Sequence, residues 1–285
     1  ENLGETCFLS SVVQALYRCP RFRSEVLRVY KAGELGGLGA GLGALFGAMA
    51  EAEAKGVRSL RPEPLVSTIK SSKSSYIGIQ QDAHDLLMLL LDSLSPVREL
   101  VEGRVSHQTR CSECEAVSQA FEPVLCLSLA VPEIASLSYL LDVFSQAEGL
   151  RGREKYACSS CCTQTEARRW TVLARVGGLQ ILHLSQPSTL KRYPTMLPQD
   201  ICFARWCQRD CPNWGHQYKL RAVVLHSAFS SQSGHYTTLY RTDEGWVEMD
   251  DARCEVLDPE QVASYLTPSG GDHVTVAHLA FYSID

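Results

Sequence analysis

Three side chains far apart in the sequence have the types and order of a thiol hydrolase. Cys7 stands in Asn2-Leu3-Gly4-Glu5-Thr6-Cys7-Phe8-Leu9-Ser10-Ser11-Val12-Val13-Gln14-Ala15-Leu16, where a Gly-bearing loop turns into a helix. Phe8, Val12, Val13, Leu16 and Tyr17 recur at helical spacing, and Thr6 is placed to cap the helix, with Cys7 in its first turn. The free N–H groups and dipole of a helix N-terminus favour thiolate over thiol, and thiolate is the nucleophile. On this stretch alone, a buried structural cysteine competes evenly with that reading. His235, in Ser231-Gln232-Ser233-Gly234-His235-Tyr236-Thr237-Thr238-Leu239-Tyr240-Arg241, supplies a general base, and Trp246-Val247-Glu248-Met249-Asp250-Asp251 follows with two acids. Cys, then His, then acid is the chain order of papain-like cysteine hydrolases.

Choosing between the acids needs the elements that hold them. Thr242-Asp243-Glu244-Gly245 reads as a turn between two strands, which sets Arg241 opposite Trp246 and Thr237 opposite Asp250. Asp250 is then the diagonal neighbour of His235 on one face, and Asp251 points away unless a bulge intervenes.

A second constellation is metallic. Cys111-Ser112-Glu113-Cys114 and Cys158-Ser159-Ser160-Cys161 are two Cys-x2-Cys knuckles, and four thiolates so arranged make a closed tetrahedral zinc site. Cys162 is adjacent, but the two-residue spacing selects Cys161. Cys202, Cys207, Cys211 and His216 cluster without matching a zinc template, so ordinary thiols are the reading there.

The chain has 285 residues, 45% apolar and 21% charged, enough for one large domain or a few subdomains sharing a core. The net charge of −5 and the lack of a basic tract argue against nucleic-acid binding. No apolar run approaches the ~20 residues needed to cross a membrane, and no signal peptide is visible. Twelve cysteines in a chain with this much apolar content do not read as a disulfide scaffold; a reducing compartment, cytoplasm or nucleus, is expected. Gly33–Gly47 is Gly-rich but lacks the Gly-Lys-Ser/Thr ending of a phosphate loop, and reads as a turn leading into a Gly/Ala helix.

Up to about residue 104 the pattern is helical. In Gln80-Gln81-Asp82-Ala83-His84-Asp85-Leu86-Leu87, the positions Ala83, Leu86, Leu87, Leu90, Leu91 and Leu94 line one helix face, and Asp82 and Asp85 lie near its start. Two acids there are commonly a dipole-favoured first turn. Beyond residue 105 short strands are expected: Val124–Val131, Ala174–Leu184, Lys219–His226, His235–Arg241, Trp246–Asp250 and Val274–Tyr282. Helices first and strands after define an α+β chain rather than alternating βαβ units.

These segments resemble the Cys box and His box of the ubiquitin-specific proteases, a family of deubiquitinating enzymes, and matching segments run from Asn2 to Tyr282. The resemblance implies a papain-like hand, with a helical thumb (1–104), zinc-tipped fingers (105–175) and a β palm (176–285), part of 190–215 returning to the fingers. It implies a triad of Cys7, His235 and Asp250, an oxyanion role for Asn2, and an assisting role for Asp251. It also implies that Asp82, Asp85, Gly234 and Tyr236 line the path of ubiquitin's C-terminal tail, and that structural zinc sits on Cys111, Cys114, Cys158 and Cys161. Ubiquitin and ubiquitinated proteins are the implied partners, with a regulatory protein as a further one. His84 and Asp85 stand where the family has Gln and Glu, and Ser185-Gln186-Pro187 replaces a usual Lys-Arg-Phe. A non-catalytic ubiquitin-binding module would lack Cys, His or acid, and all three are present; an isopeptidase for another ubiquitin-like modifier keeps the same chemistry.

Overall fold

The computed structural model describes residues 6–57, 59–72, 76–187, 192–228, 234–267 and 275–284. Asn2 and Val274 lie outside them. Eight helices occur among these residues: α1 (Cys7–Tyr17), α2 (Pro20–Lys31), α3 (Gly37–Ala54), α4 (Glu63–Ser72), α5 (Ala83–Asp92), α6 (Arg98–Val101), α7 (Leu137–Phe144) and α8 (Pro259–Leu266). Sixteen strands accompany them: β1 (Gly103–Cys111), β2 (Val117–Val124), β3 (Leu127–Ala130), β4 (Ala135–Ser136), β5 (Glu148–Leu150), β6 (Tyr156–Cys158), β7 (Thr163–Thr165), β8 (Ala167–Arg175), β9 (Leu179–Ser185), β10 (Thr195–Met196), β11 (Asp200–Cys202), β12 (Gln217–Ala228), β13 (Gly234–Arg241), β14 (Trp246–Asp250), β15 (Arg253–Leu257) and β16 (Thr275–Ser283). The fold is α+β, with a helical thumb, a β palm and β fingers.

The thumb helices follow their apolar periodicity. α1 buries Phe8, Leu9, Val12, Val13, Leu16 and Tyr17, and Pro20 opens α2 at the first helical positions, where its missing N–H costs nothing. The Gly-rich run is a packing device. A Cβ on Gly41 would meet Thr68 Oγ1 at 2.7 Å, and one on Gly43 would meet the Tyr30 ring at 2.6 Å, so the bare backbone of α3 lets α2 and α4 come close.

The palm is one sheet in the order β15-β14-β13-β12-β16-β9-β3, with β11 added beside β12. Its central strands are buried on both faces, which explains their near-continuous apolar runs. On β12, Ala222 and Val224 face the core shared with α1, α2, α3 and α5, whereas Val223 and Leu225 face a second core with α7 and α8. Apolar burial on both sides, at about 25 cal/mol per Å², stabilises the strand; a one-residue slip would exchange Ala222 and Val224 with Val223 and Leu225, so here the register rests on how side-chain sizes fill the two cores.

Two expected strands are broken. Val124–Val131 is the end of β2 and then β3, interrupted at Leu125-Cys126. The single strand expected over Ala174–Leu184 is two, the end of β8 and then β9, broken at Gly177-Gly178. The backbone there lies against Val101, where a Cβ on Gly177 would sit 2.5 Å from its carbonyl oxygen. The strand also survives the departure at Ser185-Gln186-Pro187: β9 runs through Ser185, and the Gln186 amide bonds both backbone groups of Tyr193 at 2.9 Å.

The fingers are the four-stranded sheet β2-β1-β8-β5 with the small β6-β7 hairpin. The strand β2 is an exposed edge, so this extension has little core of its own. No described helix is long and apolar enough to cross a membrane.

Candidate active site

Cys7 is the first residue of α1, only 4% exposed. Thr6 occupies the N-cap position, but its side chain makes no capping bond; its carbonyl instead accepts from the amides of Leu9 and Ser10. α1 is fastened to the palm by side chains facing β13. Thr238 Oγ1 donates to the Ser11 carbonyl at 2.9 Å, and the Ser11 hydroxyl donates to the carbonyl of Cys7. At the other end, Arg18 lies 4.3 Å over the ring of Tyr240 and pairs with Glu53. A helix pinned to β13 at Thr238 and Tyr240 carries Cys7 to the start of that strand, where its thiol lies at the backbone amide of Tyr236, next to His235.

The hairpin has the register read from the sequence. Arg241 pairs with Trp246, Tyr240 with Val247, Leu239 with Glu248 and Thr238 with Met249, and Thr242 and Gly245 close the turn at 2.7 Å. His235 Nε2 and Asp250 Oδ1 lie 2.6 Å apart. Asp251 does not point away, however. Its backbone takes φ +52°, a left-handed conformation, and ligand-capable atoms of His235, Asp250 and Asp251 lie within 4.8 Å of one another. The turn after β14, rather than a bulge, breaks the strand alternation that the sequence argument assumed. Asp can adopt this conformation more readily than most residues.

The electrostatics of Cys7 differ from the simple helix-terminus expectation. Burial pushes the thiol up, and the Asp251 charge pushes it further. Backbone amides of Tyr236, Phe8 and Cys7 itself act in the opposite direction without prevailing, so the net shift is upward. The helix N-terminus does favour thiolate here, but desolvation outweighs it.

Gly234, His235 and Tyr236 open β13. Tyr236 is buried and stacks on His226, ring centroids 4.4 Å apart. A Cβ on Gly234 would lie 2.3 Å from His226 Nε2, so the close approach that requires glycine comes from the protein's own imidazole.

On the thumb side, Asp82 is the N-cap of α5. It accepts from the His84 amide at 2.7 Å and lies 3.3 Å from His278 Nε2. Burial works against its ionisation, but the His278 bond and charge and the His84 amide prevail, holding the carboxyl well below the ordinary range. Asp85 is exposed in the first turn. The sequence reading missed what lies between: His84 stacks on His183 at 4.1 Å, and His183 and His278 meet edge to face at 4.9 Å. These histidines are scattered over α5, β9 and β16, and no spacing along the chain announces them.

At the fingertip, the sulfurs of Cys111, Cys114, Cys158 and Cys161 all lie within 4.8 Å of one another. The Cys111–Cys161 and Cys114–Cys158 sulfurs are 3.8 and 3.7 Å apart. A tetrahedron of Zn–S bonds of ~2.3 Å has edges of about 3.8 Å, whereas a disulfide would bring sulfurs to ~2.05 Å. The two knuckles also share a backbone device, a left-handed residue directly after the second cysteine: Glu115 at φ 58° and Cys162 at φ 55°. Cys162 is thus the turn residue, and its sulfur is directed to the Ser159 carbonyl instead. The four cysteines form a cluster able to hold a metal.

A buried cysteine at a helix start, docked on the strand that carries a carboxylate-paired histidine, defines the class as a papain-type thiol hydrolase. The family profile described as ubiquitin carboxyl-terminal hydrolase matches residues 1–282, and the chain belongs to that family, whose members are cysteine-type deubiquitinases. It is 26% identical over 324 residues to ubiquitin carboxyl-terminal hydrolase 4 of Arabidopsis thaliana, covering 94% of this chain and 87% of that protein. It is likewise 26% identical over 329 residues to ubiquitin carboxyl-terminal hydrolase 12 of Salmo salar, covering 99% and 88%. Among solved structures, the fold is similar to the SAGA DUB module Ubp8/Sgf11/Sus1/Sgf73 bound to monoubiquitin, with TM-score 0.80, 19% identity, and coverage of 100% of this chain and 68% of that one. The same module bound to ubiquitin aldehyde gives a TM-score of 0.79.

Proposed function

We propose that this deubiquitinase hydrolyses the isopeptide bond between ubiquitin's C-terminal glycine and a substrate lysine, with Cys7, His235 and Asp250 as the triad. The observation that carries the assignment is the His235–Asp250 pair at 2.6 Å, on the strand that receives α1 and its N-terminal Cys7. Asp250 occupies Nε2, which leaves Nδ1 of the imidazole to face the nucleophile. Burial and Asp251 disfavour the thiolate, and His235 takes the thiol proton as the sulfur attacks the glycine carbonyl. His235 then gives that proton to the departing lysine amine, and later activates the water that hydrolyses the thioester. The oxyanion formed in each step needs donors; the Cys7 N–H and, by family resemblance, Asn2 supply them.

The same reading runs ubiquitin's tail past the start of α5 and the start of β13, close to Asp82, Asp85, Gly234 and Tyr236. The solved fold neighbours are bound to ubiquitin, which supports this reading. The fingertip cysteines fit zinc by their sulfur separations. When bound, zinc supplies a crosslink that ties two hairpins lacking a core of their own. The neighbouring Ubp8 module also contains partner subunits, and a regulatory partner is proposed here on the same likeness. A catalytic thiol and four metal thiolates suit a reducing location, nuclear or cytoplasmic. The test is hydrolysis of ubiquitin and of related modifiers, each bearing a C-terminal fluorophore. Turnover of ubiquitin alone supports the assignment; turnover of another modifier alone reassigns the substrate, and none at all removes the catalytic reading.

A further inference from the structure

The geometry points to Gln80 as a positioning residue for the catalytic histidine, a clamp from the thumb that holds the backbone of Gly234. This inference rests on the reading of His235 as the general base.

Gln80 lies in the stretch just before the Asp82 cap of α5, on the thumb, and reaches β13 of the palm. Its side-chain Nε2 donates to the Gly234 carbonyl at 3.0 Å, and the Gly234 N–H donates to its Oε1 at 3.1 Å. One amide thereby satisfies both backbone groups of a single residue, as a neighbouring strand would. Among the described residues no strand does so on this side: β14 pairs with β13 only over Thr238–Arg241 and does not reach Gly234. Behind Gly234, His226 Nε2 and the Ser227 carbonyl stand where a Cβ would be. The glycine is therefore gripped between β12 and Gln80, and the next residue is His235.

The arrangement has a counterpart at Gln186, whose amide holds both backbone groups of Tyr193. There the paired residues are seven apart in the chain; Gln80 and Gly234 are 154 apart and span thumb and palm. Asp250 fixes one nitrogen of the imidazole, but it does not fix the backbone from which the ring projects. Gln80 supplies that second constraint, and only when the two subdomains are in register. A base displaced by ~1 Å can cost on the order of 100-fold in rate.

The test uses Gln80→Met, nearly isosteric but unable to make either bond, and Gln80→Glu, which keeps an acceptor for the Gly234 N–H and loses the donor. With a ubiquitin–fluorophore substrate, kcat should fall on the order of 10- to 100-fold for Met and less for Glu, with KM little changed. Alkylation of Cys7 by iodoacetamide, followed against pH in the free enzyme, should shift to higher pH in Gln80→Met, because the imidazole that stabilises the thiolate is no longer held. Both variants should keep the wild-type melting temperature within a few degrees. A rise in KM with an unchanged alkylation profile would overturn the inference and make Gln80 a contact of the ubiquitin tail. An unchanged kcat would overturn it outright. If the wild-type chain fails to hydrolyse ubiquitin, the proposed function falls, while the alkylation profile still decides the role of Gln80.

Discussion

Asp250 and Asp251 are neighbours in the chain, yet both carboxylates face the imidazole of His235. Asp250 does so as the last residue of β14, and Asp251 because its left-handed backbone turns it back into the site. One carboxylate bonds the ring at 2.6 Å; the other raises the proton affinity of Cys7. Their positions predict different phenotypes.

Asp250→Asn removes the charge that orients His235 and stabilises its imidazolium. In serine triads the equivalent change lowers kcat by up to ~10⁴-fold. Steady-state kinetics on a ubiquitin–fluorophore conjugate should show a loss of at least two orders of magnitude with little change in KM. A near-wild-type kcat would exclude Asp250 as the triad acid.

Asp251→Asn should act in the opposite direction on the free thiol. Its negative charge disfavours thiolate, so removing it lowers the Cys7 pKa. The pH midpoint of Cys7 alkylation should move down, giving faster labelling near neutral pH. If Asp251 also assists the reaction, kcat will fall although the thiol has become more reactive. A midpoint that stays put would show that the two groups do not interact.

The fingertip site predicts one zinc per chain by atomic absorption. Cys111→Ser or Cys158→Ser should release it and lower the melting temperature by ~5 °C or more, since structural zinc contributes folding energy directly. Metal-free protein of unchanged stability would contradict the zinc assignment.

The half-buried imidazoles make stability depend on pH. Burial, with the neighbouring His278 and His84, lowers His183 to about 3, and burial with His278 lowers His226 to about 4. An unfolded histidine titrates near ~6.5. Between the folded and unfolded values the unfolded chain binds more protons, so stability rises with pH. The contribution is complete above the unfolded value and is lost as the pH falls towards the folded one. At pH 5 each such histidine costs on the order of 2 kcal/mol. Denaturant melts should therefore weaken between pH 7 and pH 5. His183→Phe, which keeps the stack on His84 but cannot titrate, should flatten that slope; an unchanged slope would assign it to other groups.

How much of this was legible in the sequence follows from which interactions are local. The pairing of His235 with Asp250 was readable because a hairpin register depends on one turn, Thr242–Gly245, and on period-two alternation. The clustering of Cys111, Cys114, Cys158 and Cys161 was readable from knuckle spacing. Asp251 was misjudged because one backbone angle at a strand end decides its direction. α8 was overlooked although Asp258-Pro259-Glu260-Gln261 carries its signal, a capping box with proline at the first helical position. The break between β8 and β9, the stack of His84 on His183 and the Gln80–Gly234 clamp depend on elements meeting after long separations in the chain. No local period or motif encodes those meetings.

Asp82 separates a structural role from recognition of the substrate. As the N-cap of α5 it bonds the His84 amide, and loss of a cap costs ~1 kcal/mol. Its side chain is nonetheless 47% exposed, so the carboxylate stays accessible to a cation from outside. Charge-assisted bonds to an arginine are worth roughly 1.5–3 kcal/mol, about 10- to 150-fold in affinity. His278 and the positive end of the helix oppose that gain. Asp82→Asn keeps the cap, because asparagine caps as well as aspartate, but removes the charge; Asp82→Ala removes both. If Asp82 reads an arginine of ubiquitin's tail, the Asn variant should raise KM several-fold at unchanged melting temperature. The Ala variant should raise KM and also lose stability. The rise should vanish on ubiquitin whose tail arginines are replaced, since the partner is then already missing. Wild-type KM in the Asn variant, with stability lost only in the Ala variant, would confine Asp82 to the start of its helix.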